Sequence, residues 1–445
     1  MQLRPIHLAA IAISAGACHR LPIWEGDVPA ISPVEREAFK TCGRGKVTVE
    51  GGKQLQRLPY LQSVTTGSAV VAFAAWPGEI WVEARKGDEK DGKVVATARA
   101  RYAGSDEQRR RSFQHRGEAQ ALRPDHYFVQ RADLDGLEPR TLYCYQVMSR
   151  AGPLTDPAPL VTAAPPGQDE PVRFVVLGDT GSGSAAQQAI ARRIASEPFD
   201  FLVFLGDLAY EEGSAEQLQT RFFEVYKDYL QYAPAFPAMG NHDRRTRNGG
   251  PYLEAFVLPP PELYYSFDWG DVHIVVLDTT GNYKAQVEWL KQDLSANRKR
   301  FTIAVGHHPM YTGSIRGPHL ALRARFWSLL AFYGVNLVVM GHEHQYQRFA
   351  RRNGMIHIVS GGGGGRLSRI YSKADSEVTR TVHHYLAFEV TKNKLSMRAI
   401  DIGGKEFDRI ELEWRSPEEK EPDRPRRRRR SPLDVPIAAS RPAGN

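Results

Sequence analysis

The sequence predicts two regions of different fold class: an all-β N-terminal sandwich, then an α/β region of layered β-sheets flanked by helices. Two observations carry this reading. Up to residue 166, short runs rich in β-branched and aromatic residues are separated by Gly, Pro and charged clusters. From residue 172, apolar runs of strand length alternate with helix-length segments whose apolar residues recur at helical spacing. Such alternation builds a buried sheet covered by helices.

The elements follow in chain order. The leader MQLRPIHLAAIAISAGACHR places Arg4 before an apolar stretch, Ile6 to Ala17, that is too short to span a bilayer and reads as a secretion signal over residues 1–17. Cys18, after Ala15-Gly16-Ala17, resembles the lipidated cysteine of bacterial lipoproteins, although that pattern prefers leucine where Ala15 stands. The expected location is therefore exported: periplasmic, cell-surface lipoprotein or secreted. Residues 18–53 read as a polar leader. Within 54–166 the strand candidates are SAVVAFAAW (68–76), EIWVEAR (79–85), HYFVQRADL (126–134) and TLYCYQVM (141–148). TAAPPGQDEP, residues 162–171, reads as a linker. Residues 172–415 hold the strands VRFVVLGD, FDFLVFLGD, AFPAMGNHD, VHIVVLD, FTIAVGHH and VNLVVMGHEH, with helix candidates SAAQQAIARRIASE, EQLQTRFFEVYKDYL and KAQVEWLKQDL between them.

Length and composition limit the function classes. A chain of 445 residues accommodates two or three domains with substantial cores, and its composition is that of an ordinary globular protein. The net charge of +8 is partly local, since residues 424–430 read RPRRRRR. The tail, 416–445, is expected to be disordered, with an anionic surface as its candidate contact and no specific nucleic-acid site. Three cysteines, Cys18, Cys42 and Cys144, exclude a CxxC zinc or redox motif. Cys42 and Cys144 are either a disulfide or two buried thiols.

The chemistry sits at the strand ends. Five apolar runs stop at a glycine or asparagine beside a side chain that can hold a metal: Gly178-Asp179, Gly206-Asp207, Gly240-Asn241-His242, Gly306-His307-His308 and Gly341-His342-Glu343-His344. Ligands gather outside the carboxyl ends of strands in open α/β sheets. Any one Gly-Asp pair is more often a turn, but five in order point to a metal centre. Asp179, Asp207, Tyr210, Asn241, His307, His342 and His344 exceed what one four-coordinate ion uses. With Asp207 as a bridge they suit two ions roughly 3.5–4 Å apart, an arrangement adapted to in-line displacement at phosphorus.

The ordered set GDTG, GDLAY, GNHD, GHH and GHEH resembles the metallophosphoesterase superfamily, and within it the purple acid phosphatases. The segment DGLEPRTLYCYQV, through Leu137, Pro139, Thr141, Tyr143 and Tyr145, is similar to the corner-and-strand pattern of fibronectin type III-like sandwiches. Such a sandwich commonly precedes the catalytic domain in that branch. Ala304 is a small departure, at an apolar strand position.

The resemblance implies Asp179, Tyr210 and His344 around Fe(III), with Asn241, His307 and His342 around a divalent metal (Fe, Zn or Mn) and Asp207 bridging. Asp179-Thr180-Gly181 lacks the histidine that the wider superfamily carries in its first motif, and Tyr210 supplies a replacement oxygen. The bland alternative is a tyrosine packed under the next helix. The implied activity is acid phosphatase: hydrolysis of phosphate monoesters by metal-bound hydroxide attack at phosphorus. His242, His308 and His319 are the implied catalytic or substrate-contacting histidines. A phosphodiesterase or nucleotide-directed esterase on the same scaffold is the alternative, and a non-catalytic surface-binding protein is a third reading. The run SGGGGGRL from Ser360 has no GK[ST] after it, so it reads as close backbone packing rather than a phosphate cradle.

Overall fold

A computed structural model describes residues 33–87, 92–102, 129–281, 283–373 and 375–414. The secretion-signal, Cys18 and arginine-tail readings lie outside these residues. The N-terminal region forms two antiparallel sheets. One is built on strands Leu55–Gln62, Ser68–Ala75 and Val129–Asp135, the other on Ile80–Lys86, Val94–Arg99 and Leu142–Ser149. Alternation puts Ile80, Val82 and Ala84 of one strand and Tyr143, Tyr145 and Val147 of another into the core. The Tyr143 hydroxyl accepts a 2.8 Å hydrogen bond from the Glu138 amide, the back-bond that the corner pattern calls for.

The described part of the leader, residues 33–53, is more regular than a polar linker would be. Helices span Pro33–Cys42 and Val49–Gln54, and Cys42 forms a disulfide with Cys144 of the strand Leu142–Ser149. The bond, one of the two alternatives the sequence allows for these cysteines, ties the helix Pro33–Cys42 to the sheets.

Two larger sheets follow. The first has parallel strands Val172–Leu177, Phe201–Phe204 and Ala235–Pro237, continued by antiparallel strands His384–Val390, Lys394–Asp401 and Glu406–Glu413. The second has a parallel run of Val272–Val276, Phe301–Gly306, Leu337–Met340 and Ile356–Ser360, edged by antiparallel neighbours. Their inner faces meet: the Phe236 and Phe267 rings stack at 3.7 Å, and Phe201 lies 4.9 Å from Trp269. Strands buried on both faces are near-continuously apolar, which is why these runs are so legible. Helices cover the outside. Ala185–Ile194 begins at Ser184, whose side chain caps the Gln187 amide, and Tyr283–Ala296 packs beside Leu320–Phe332. The segment 215–230 is helical throughout but contains a π-turn at Gln219–Phe223.

The N-terminal sheets dock on this body through specific bonds. Tyr145 donates to the Gln231 carbonyl at 2.8 Å, Tyr60 to the Ala255 carbonyl at 2.5 Å, and Arg57 to Gln219 at 2.7 Å while lying over the Phe223 ring.

Candidate metal centre

Every parallel strand that ends in a candidate ligand ends on the same side, so five loops from two sheets converge. Asp179 follows Val172–Leu177, Asp207 follows Phe201–Phe204, and Asn241 follows Ala235–Pro237. His307 follows Phe301–Gly306, and His342 and His344 follow Leu337–Met340. Asp179, Asp207 and His342 hold positive φ, at 58°, 54° and 70°. Non-glycine residues reach this region at a cost of order 1 kcal/mol or more, and such strain clusters where geometry is functionally imposed.

The seven candidate side chains form one continuous cluster. Tyr210 Oη lies 3.1 Å from Asp179 and 2.9 Å from His344 Nε2. The ligating atoms of Asp179, Asp207 and His307 lie within 4.8 Å of one another. His307 Nε2 sits 3.0 Å from Asn241 Oδ1 and 3.2 Å from His342 Nδ1. Asp179 and His307 are 0% exposed and Asp207 is 2% exposed. Two buried carboxylates facing imidazoles and a phenol are a donor set for hard and borderline cations. The residues therefore fit a pair of metal ions. Burial and the Asp179 and Asp207 carboxylates push the Tyr210 phenol well above its ordinary range, so Tyr210 is a phenol until a strong cation polarises it.

Surrounding contacts fix the donors. His307 Nδ1 donates to the Leu205 carbonyl at 2.7 Å and His344 Nδ1 to the Arg366 carbonyl at 2.7 Å, which leaves Nε2 of each facing the cluster. Buried Asp243 accepts from the Leu208 amide at 2.8 Å and the Gly240 amide at 2.9 Å, joining the Asp207 and Asn241 loops. Sequence reasoning passed over Asp243, although its place in GNHD was a signal. Two glycines are required by close approach. A Cβ on Gly240 would lie 2.2 Å from Asp207 Oδ1, and one on Gly365 would lie 2.6 Å from the His344 ring. The glycine run after Ser360 is thus packed against the ligands, as its lack of a P-loop sequence implied.

The three other histidines take different positions. His242 packs against the Tyr210 ring at 4.6 Å; its Nδ1 donates to the Glu211 carbonyl at 2.7 Å, leaving Nε2 available. His308 and His319 line a groove of about 400 Å³ with Asn241, Arg244, Thr279 and Tyr283 among its other walls. His308 is clamped between Thr279 Oγ1, 2.9 Å from its Nδ1, and the His342 ring at 4.5 Å. Burial, with His307 and His319 beside it, pushes its pKa down to about 3, so it is a neutral ring. One His308 ligating atom also lies within 4.8 Å of those of His307 and His342. His319 has a structural task that its sequence position did not reveal. Its Nδ1 accepts from the Leu322 amide as the N-cap of Leu320–Phe332. Only its Nε2, 3.3 Å from the Tyr283 hydroxyl, remains for the groove.

The profile of the calcineurin-like phosphoesterase family matches residues 172–346, a span containing all seven candidate donors. The mouse tartrate-resistant acid phosphatase type 5 is 27% identical over 243 residues, covering 43% of this chain and 72% of that protein. Purple acid phosphatase 23 of Arabidopsis thaliana is 28% identical over 282 residues, covering 52% of this chain and 61% of that protein. A purple acid phosphatase from yellow lupin (Lupinus luteus) seeds has the same fold, with a TM-score of 0.68 at 20% identity over 80% of this chain and 74% of that one. Residues 172–346 thus match the calcineurin-like phosphoesterase family, and the chain is similar to purple acid phosphatases in sequence and shares the fold of one of them.

Proposed function

We propose that the protein is an exported acid phosphatase that hydrolyses phosphate monoesters at a dinuclear centre of Fe(III) and a divalent iron, zinc or manganese ion. The observation that carries this is the contact of Tyr210 with both Asp179 and His344 in one buried corner of the cluster. A phenolic donor there, where the wider superfamily places histidine, suits a hard trivalent ion. Asp179, Tyr210 and His344 would hold the ferric ion, Asn241, His307 and His342 the divalent ion, and Asp207 would bridge.

When bound, such a pair supplies Lewis acidity, which lowers the pKa of coordinated water and offsets charge on the phosphoryl group. The chain's own side chains supply the rest. His242 Nδ1–H is held by the Glu211 carbonyl, so the proton that passes to the departing alkoxide resides on Nε2. One water is consumed, and inorganic phosphate and an alcohol leave. His308 and His319 wall the groove where the ester's leaving group sits, and His308 stays neutral there. The Cys42–Cys144 disulfide supports the export reading, because such bonds persist in oxidising compartments.

The test is the visible spectrum and metal content of the purified protein and of Tyr210→Phe. A tyrosinate-to-iron charge-transfer band that the substitution abolishes supports the reading. A colourless protein, active with divalent ions alone, removes the ferric assignment. Faster hydrolysis of bis-(para-nitrophenyl) phosphate than of para-nitrophenyl phosphate removes the monoesterase assignment.

A further inference from the structure

The groove beside the metal cluster has a charge pattern that hydrolysis of a simple monoester does not require. Its lining residues are Asn241, Arg244, Arg245, Thr279, Thr280, Tyr283, His308 and His319: two guanidinium groups and no carboxylate. Its volume of about 400 Å³ exceeds what a single phosphoryl group occupies.

The two arginines differ in what they offer. Arg244 is neutralised from behind: it contacts Asp278, whose side chain is 0% exposed, at 3.3 Å, and also bonds Thr280 at 2.5 Å and Asn248 at 2.9 Å. Asp278 is itself locked by the Thr280 amide and hydroxyl, so Arg244 is held rigid but contributes little net charge. Arg245 is the charge carrier. Its side chain is 44% exposed, and its one carboxylate partner among the described residues, Glu212 at 3.3 Å, is 60% exposed. Such a surface pair is weak and readily exchanged for a better anion. Arg245 Nη1 also reaches the Glu211 carbonyl at 3.1 Å, the acceptor that His242 uses, so the guanidinium is positioned beside the catalytic histidine. An arginine with a replaceable partner, on the wall of an acid-free groove, is a phosphate receptor in waiting.

We propose that Arg245, backed by Arg244, forms a second anion subsite, and that the preferred substrates are phosphomonoesters whose leaving group carries a second phosphate. This rests on the phosphatase reading of the adjoining metal cluster and specifies its substrate class.

The experiment compares kcat/KM of the metal-loaded protein for glucose 1,6-bisphosphate and glucose 6-phosphate, with para-nitrophenyl phosphate as the reference substrate. The wild-type protein is expected to favour the bisphosphate. Arg245→Gln lowers the bisphosphate-to-monophosphate ratio about tenfold, the size of one lost charge-assisted hydrogen bond at a part-exposed site. Arg245→Glu lowers it further, whereas Glu212→Gln raises it by freeing the guanidinium. A ratio unchanged within about twofold across these variants, or a parallel fall for both substrates, overturns the subsite. A wild-type ratio at or below one overturns it as well. Failure of the wild-type protein to hydrolyse para-nitrophenyl phosphate is a different result, because it overturns the phosphatase reading itself.

Discussion

His273, at the start of the strand that leads to the groove residues Thr279 and Thr280, makes the stability of the protein pH-dependent. Its ring is 5% exposed, with Nδ1 2.7 Å from Asp268 and Nε2 2.9 Å from Asp293. Lys299 approaches Asp268 at 3.4 Å, and Ser266 bonds Asp293 at 2.5 Å, so both carboxylates are anchored. Burial opposes the imidazolium, but the two hydrogen-bonded carboxylates outweigh it and push the pKa from 6.5 up to about 9. A difference of that size corresponds to about 3 kcal/mol. The folded-state pKa lies above the unfolded one, so the protonated ring stabilises the fold. The contribution is complete below the unfolded value of 6.5 and is lost as pH rises through about 9. Urea midpoints for wild type and His273→Gln at about pH 6 and about pH 9.5 read this directly. Wild type should lose about 3 kcal/mol more than the variant across that window. Parallel pH curves for the two proteins would refute the reasoning.

Two other perturbations test the scaffold and the ligand loops. Replacing both Cys42 and Cys144 with alanine opens a crosslink across 102 residues; the chain-entropy contribution is about 4–5 kcal/mol, so the thermal midpoint should fall by several degrees, and an unchanged midpoint contradicts this. Gly240→Ala places a methyl group 2.2 Å from Asp207 N and Oδ1, which forces the bridging candidate aside. Metal affinity should drop about tenfold or more, as titration calorimetry would read, and wild-type affinity would show that the loop absorbs the methyl without moving Asp207.

The ligand-bearing strand ends were legible because their signals are local. An apolar run followed at once by Gly-Asp, Gly-Asn-His or Gly-His-Glu-His states both the strand and the donor, and strand direction then places the donor at one end of a sheet. Tyr210 was legible for a related reason, standing three residues after Asp207 in the same loop. The helix Pro33–Cys42 was not, since its polar composition matches a linker and its packing comes from Tyr232, whose ring lies 4.9 Å from Phe39. The sequence suggests His319 as a substrate-contacting histidine, but its commitment to the Leu322 amide depends on where the helix Leu320–Phe332 begins.

By itself, then, the sequence determined the order of regions, the strands and the set of candidate donors, because periodicity and strand-end residues are properties of a few neighbouring positions. Only the tertiary structure decided that Cys42 meets Cys144, that Arg244 is neutralised by Asp278 while Arg245 is not, and which imidazole nitrogens face the candidate cluster. Those outcomes depend on contacts between residues as far apart as Leu205 and His307, brought together by the packing of two sheets. No local pattern encodes such distances; they arise when the apolar faces of the sheets are buried against each other.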